Sequence, residues 1–206
     1  MDALPYNSSF EEYRRQSAGL LNLVQSRDSK ALRFIRAYNR ALQKLPEEEF
    51  NKHSFTQEDA DTAILYWYHF KSWEELNNYT IAVQQQEEVA QFEQAVDAII
   101  EGDTGTLSLL LQKNPALVYA RSVRGHASTL LHYVGANGVE DFRQKTPANA
   151  VVILQILLDA GADVNATANM YGGGSTTFGL AATSIWPSKA GVVRSEEHTS
   201  ELQSPI

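Results

Sequence analysis

Two stretches, TLLHYVGANG from Thr129 to Gly138 and LLDAGADVNA from Leu157 to Ala166, constrain this chain more than any other feature. The sequence around them carries the same pattern again. Upstream, AVDAIIEGDTGTLSLLLQKNP puts Gly102 where Gly138 stands, and its leucines at 109 to 111 where Ile156 to Leu158 stand. Downstream, STTFGLAATS puts Thr176 and Thr177 at the places of Thr129 and Leu130, and Ala181 and Ala182 at those of Val134 and Gly135. A chain that repeats itself every few dozen residues folds as stacked units, each burying its apolar face against its neighbours. Gly161 follows a leucine pair where the chain must leave helical geometry, and a residue without a Cβ does this at positive φ with the least strain. Asn114 holds the same place in the first unit and is the next most tolerant residue.

The two stretches resemble the signature halves of an ankyrin repeat, T-P-L-H-x-A-A-x-x-G and L-L-x-x-G-A-D-V-N-A. The second half matches throughout, while the first differs at Leu130, Val134 and Gly135. The family period is about 33 residues. Thr129 and Thr176 are 47 apart, an excess that divides into an insert at 139–149 and three residues in the following loop. Glu93, which aligns with Thr129, lies 36 residues before it, three in excess again. The resemblance implies that Thr129 and His132 are the family's hydrogen-bonding pair at a helix start, a structural role, and that Gly138 and Gly161 close helices.

Ahead of the repeats the signals are helical. Ser9 to Glu12, Thr56 to Asp59 and Ser72 to Glu75 each have helix-start spacing. Behind them, Phe10, Tyr13, Leu20, Leu21 and Val24 form one stripe, Leu32, Ile35, Tyr38 and Leu42 a second, and Ala60, Ala63, Ile64 and Trp67 a third. A helix from about Ser29 ends before Pro46, and PEEEFNKHSF is a linker. A fourth stripe runs through Leu76, Tyr79, Ala82 and Val83, and QQQEE is a solvated turn or helix face. YHFKSWEELNNY, Tyr68 to Tyr79, is similar to a Y-G-F-x-S-W-x-x-L stretch found before the repeats of some bacterial ankyrin proteins; Phe70 and Trp73 would pack the module on the first repeat. Together the resemblances cover nearly all of residues 8–193.

The expected fold is therefore all-α: a helical N-terminal module over 1–88, then an ankyrin-repeat solenoid with extended fingers over 89–193. Its repeats span about 89–121, 122–166 with the insert 139–149, and an incomplete 167–193. Residues 194–206 break the pattern. RSEEHTSELQS, Arg194 to Ser204, resembles a widely used sequencing-library adapter translated in frame, so it is excluded from fold reasoning as a scar would be. That implies a natural chain that is longer and C-terminally truncated here, with apolar surface exposed at Phe178, Leu180 and Ile185.

A formal charge of −8 disfavours a nucleic-acid surface, whose affinity comes from cations on phosphates. The chain has no cysteine, which agrees with a reducing compartment. No export signal and no run of about 18 apolar residues is visible, so no membrane partner and a cytoplasmic location are expected. YGGGST lacks the lysine and preceding strand of a phosphate loop. His53, His69 and His126 have no metal-ligand spacing, and Asp97, Asp103 and Asp141 read as solvated or capping. No cofactor, metal or catalytic residue is expected.

What remains is recognition of another protein by a scaffold that is not an enzyme. The concave surface would comprise Arg121 to Ser128, Asn165 to Ser175 and the outward faces of helices at 94–101, 129–137 and 177–184. Arg124, His126, Asn169 and Tyr171 are the expected contacts, by residue type and position on the fingers. The insert projects from the opposite edge as a second contact or a tolerated loop. The alternative is a regulatory or ligand-binding subunit of an enzyme, with a pocket formed by Trp67, His69, Trp73 and Glu75.

Overall fold

The computed structural model describes residues 1–190, nearly all of whose regular structure is helix; the tail from 194 lies outside the described residues. The chain divides into two compact units, Met1–Gln86 and Glu87 onward.

In the first unit, α1 (Phe10–Gln25) opens with a capping box in which Ser9 and Glu12 satisfy each other's backbone groups. It buries Tyr13, Leu20 and Val24, while Leu21 is only half-buried. α2 (Ser29–Tyr38) and α5 (Gln57–Trp67) pack on it and on each other. α5 buries Ala60, Ala63, Ile64 and Trp67, its own stripe from the sequence. Burying side chains such as Leu20, Ile35 and Ile64 stabilises by about 1.5–3 kcal/mol each. α6 (Trp73–Gln85) starts from Ser72 and buries Leu76, Tyr79 and Val83. Residues 84–88 are exposed.

Two expectations here need correction. The helix from Ser29 does not run on to Pro46; it breaks at Asn39 (φ −115°, ψ 105°) and restarts as α3 (Arg40–Gln43). The buried Asn39 side chain accepts from the amides of Ala41 and Leu42 and donates to the Asp59 carbonyl at 3.2 Å. Asn39→Ala should therefore cost about 1–2 kcal/mol, read from a urea midpoint. PEEEFNKHSF is not a plain linker either. It forms α4 (Glu47–Lys52), with three glutamates in its first turn and Lys52 in its last, as the helix dipole favours. Phe50 and Phe55 pin it down, with ring centroids 5.5 Å apart.

The second unit begins with α7 (Glu87–Glu101) and α8 (Thr104–Lys113), the latter capped by Asp103. A 3-10 turn, Pro115–Tyr119, follows. Then come α9 (Leu130–Val134), α10 (Ala150–Asp159), the strands β1 (Thr167–Ala168) and β2 (Ser175–Thr176), α11 (Thr177–Thr183) and α12 (Ile185–Lys189). α7 packs on α9 and α9 on α11, while α8 packs on α10. Leu107, Leu117, Leu130, Ile153 and Leu157 lie at the centre of this core. Gly102 (φ +80°) and Gly138 (φ +73°), aligned in the sequence, share one left-handed conformation, and Gly161 (φ +95°) closes α10. Asn114 does not join them. Its φ is −136°, because Pro115 behind it drives the chain toward extended geometry. Leu180 is buried, contrary to expectation, whereas Phe178 (81%) and Ile185 (59%) are exposed.

Candidate interaction surface

The segment 121–128 alternates outward and inward, an extended-chain period of two. Arg121, Val123 and Gly125 face out, while Ser122, Arg124, His126 and Ser128 are buried. Its ends are tied by the Ser122 amide donating to the Ser128 carbonyl at 2.8 Å, and its tip by Ala127 donating to Arg124 at 2.9 Å.

A second finger lies beside it. β1 and β2 pair antiparallel, Thr167 opposite Thr176 and Ala168 opposite Ser175. They are joined by a loop in which Tyr171, Gly172, Gly173 and Gly174 all have positive φ. The Asn169 amide donates to the His126 carbonyl at 2.8 Å. Arg121 Nη1 donates to the carbonyls of Ala127 (2.8 Å) and Thr167 (2.7 Å). The fingers are thus joined by one main-chain hydrogen bond and by the Arg121 guanidinium bridging a carbonyl of each. Asn169 stays exposed, and Tyr171 is 76% exposed. The Tyr171 hydroxyl donates to Asn137 Oδ1 at 2.6 Å, and Asn137 in turn donates to Thr183 Oγ1 at 2.9 Å.

Beneath the first finger sits a buried charge network. Glu93 of α7 accepts from Arg143 Nη1 at 2.6 Å and from Arg124 Nη2 at 3.3 Å. Arg124 Nε pairs with Glu140 Oε1, and His126 Nε2 lies 3.6 Å from the same oxygen. Arg143 also donates to Asp97 at 2.8 Å. Burial by itself would raise the Glu140 carboxyl, but Arg124, the neighbouring His126 and Arg143 outweigh it and hold the group well below its ordinary range. Glu93 is lowered by the same balance of burial against Arg124 and Arg143. Asp97, with Arg143 as its cationic partner, is raised by burial. The Tyr133 hydroxyl is pushed well above its usual value by burial and by the two glutamates. Carboxylates clamped between guanidiniums hold structure; they are poor proton acceptors.

Thr129 caps α9, and its amide donates to His132 Nδ1 at 3.1 Å. That fixes the ring proton on Nε2, which faces the Ser175 carbonyl at 3.2 Å. Burial lowers the His132 pKa, keeping the ring neutral. This histidine therefore ties a helix start to the second finger.

Arg124 and His126, expected as partner contacts, are instead 4% and 5% exposed. As side chains of the network they are closed to a partner. Val123, 51% exposed, takes the outward place, the reverse of what polarity along the finger suggests. The insert does not project either. Val139, Glu140 and Arg143 are buried, and two of them build the network. The helix at 129–137 presents little outward face, with only Val134 and Asn137 half-exposed.

In the first unit, an open pocket of about 260 Å³ is lined by Tyr38, Arg40, Glu58, Asp59, Thr62 and Tyr66 among others. The four residues of the expected pocket do not line it. Trp67 is buried, His69 ends α5 at φ 62°, Glu75 accepts from the Lys71 amide, and Trp73 lies edge-on to Phe10. Among the described residues no group of three potential ligands is placed to hold a metal ion, and no helix is long and apolar enough to cross a membrane. Compared with family models, curated proteins and solved structures, the chain matches none.

Proposed function

We propose that this chain is a non-catalytic scaffold of the ankyrin-repeat type that binds another protein through its two fingers. Two rows of packed helices and the matched left-handed glycines support the repeat architecture. The observation that carries the binding role is Tyr171, held out at the finger tip with its hydroxyl fixed on Asn137. An aromatic side chain already fixed in place loses little freedom on contact, which is how anchors come to dominate interface energetics. Asn169 and Val123 extend the same face.

A photo-cross-linking residue at position 171 should capture one discrete partner, and the same residue at Leu109 on α8 should not. With the partner in hand, Tyr171→Ala should weaken binding by about 2 kcal/mol, roughly thirtyfold, by calorimetry. Equal capture from both positions, or an affinity unchanged within about twofold, would remove the fingers from the interface.

A further inference from the structure

The segment ahead of α1 has no regular secondary structure, yet it is tied to the first unit at every second residue. Gln16 Nε2 donates to the Asp2 carbonyl at 2.9 Å. The Leu4 amide donates to the Tyr68 hydroxyl at 2.8 Å, which itself donates to Gln16 Oε1 at 2.9 Å. The Tyr79 hydroxyl donates to the Tyr6 carbonyl at 3.4 Å. These three hydrogen bonds go to the main chain of the arm. The arm runs without a turn from Asp2 to Pro5 and then turns at Tyr6 and Asn7, where the Ser8 amide donates to the Pro5 carbonyl at 3.0 Å. Recognition through the main chain gives affinity without demanding a sequence, and side-chain pockets add preference. Here Ala3, Leu4 and Tyr6 are half-buried, whereas Asp2, Pro5 and Asn7 are exposed.

The receptor side chains are packed into the unit. Tyr68 and Tyr79 are 1% and 3% exposed. Tyr13 stands edge-on to Tyr68 at 4.9 Å, and Phe70 packs on Tyr79 at 5.2 Å. These tyrosines bound the motif YHFKSWEELNNY, which the finger surface leaves without a role. The arm, by contrast, is separable from the helix behind it. α1 starts on its own capping box, with the Ser9 amide donating to Glu12 at 2.7 Å, so the helix does not need the arm to begin.

We propose that residues 2–7 are a displaceable strap over a groove that reads peptide main chain. The groove accepts in their place a peptide carrying an aliphatic side chain and, two residues on, an aromatic one at the start of a turn. The strap competes with that peptide, so apparent affinity falls by the fraction of molecules in which the groove is open.

The test uses the full chain and a fluorescent peptide of sequence MDALPYNSS. Leu4→Pro removes the amide donated to Tyr68 and loosens the strap without touching the groove. It should bind the peptide at least about tenfold more tightly than the unaltered chain by anisotropy. The same peptide with serine at both apolar positions should bind at least about tenfold more weakly. A folded Leu4→Pro protein with no gain in affinity would overturn the proposal, since a merely structural arm would lose stability and gain nothing. A second measurement needs no variant. Saturating the unaltered chain with peptide should speed hydrogen exchange at the Leu4 amide at least about tenfold; unchanged exchange there would equally overturn the strap.

Discussion

Arg143→Met is expected to destabilise the second unit by about 3–5 kcal/mol, seen as a lower urea midpoint. Methionine keeps much of the volume but removes the donors that Glu93 and Asp97 receive at 2.6 and 2.8 Å. Glu93 and Glu140, both fully buried, are then left with Arg124 alone as a guanidinium partner. The pH dependence follows from the same charges. Glu93 and Glu140 are lowered, so their contribution is complete above the unfolded value of about 4.3 and is lost as pH falls through their folded values. Asp97 is raised, so it acts in the opposite sense: its contribution is present below about 3.9 and lost as pH rises through its folded value. Two lowered groups against one raised one make the unit acid-labile. Glu140→Gln should weaken it at neutral pH and flatten its profile below about pH 4. A Glu140→Gln profile parallel to that of the unaltered chain would show that the network does not set the acid response.

Gly138→Ala should cost roughly 2–4 kcal/mol, summing strain and overpacking. Its φ of +73° lies where a Cβ is strained in any surroundings, and the added carbon would stand 2.5 Å from Met170 Sδ. Met170 is 4% exposed, so its sulfur has little room to retreat. Tyr171 follows it directly, and its ring lies 3.2 Å from the same added carbon. The substitution should therefore loosen the finger tip as well as the helix turn. Gly125→Ala is the matched control, with neither positive φ nor any atom within 4 Å of its added Cβ. Its melting temperature should stay unchanged or rise slightly. Comparable losses from both glycines would mean that the left-handed turn is not what Gly138 supplies.

The helices were legible because periodicity and caps are local. Ser9, Thr56 and Ser72 start α1, α5 and α6, and the stripe through Ala60, Ala63, Ile64 and Trp67 is the buried face of α5. What the sequence hid is non-local. Asn39 breaks a continuous-looking stripe because Asp59, twenty positions on, offers its carbonyl. The polar run PEEEFNKHSF folds because two phenylalanines find one another. The surface was legible in part. Tyr171 and Asn169 are exposed on the second finger, while Arg124 and His126 turned inward for a reason no local window contains. Their partner Glu140 comes from an insert that, by polarity, reads as a loop, and Glu93 sits in the middle of an ordinary amphipathic helix.

The insert has a further property. Glu140 and Arg143 bring one negative and one positive charge into the core, where they meet Glu93 and Arg124, and Arg143 reaches the partly exposed Asp97 as well. The eleven residues at 139–149 thus enter the fold as an electrically neutral module. Taking out either charge alone strands its counterpart in a medium that cannot solvate it. Taking out the pair leaves Glu93 and Arg124 matched to one another and leaves Asp97, its side chain 35% exposed, to the solvent. Loss of the whole loop therefore disturbs the charge balance of the core less than a point change at either of its two buried charges.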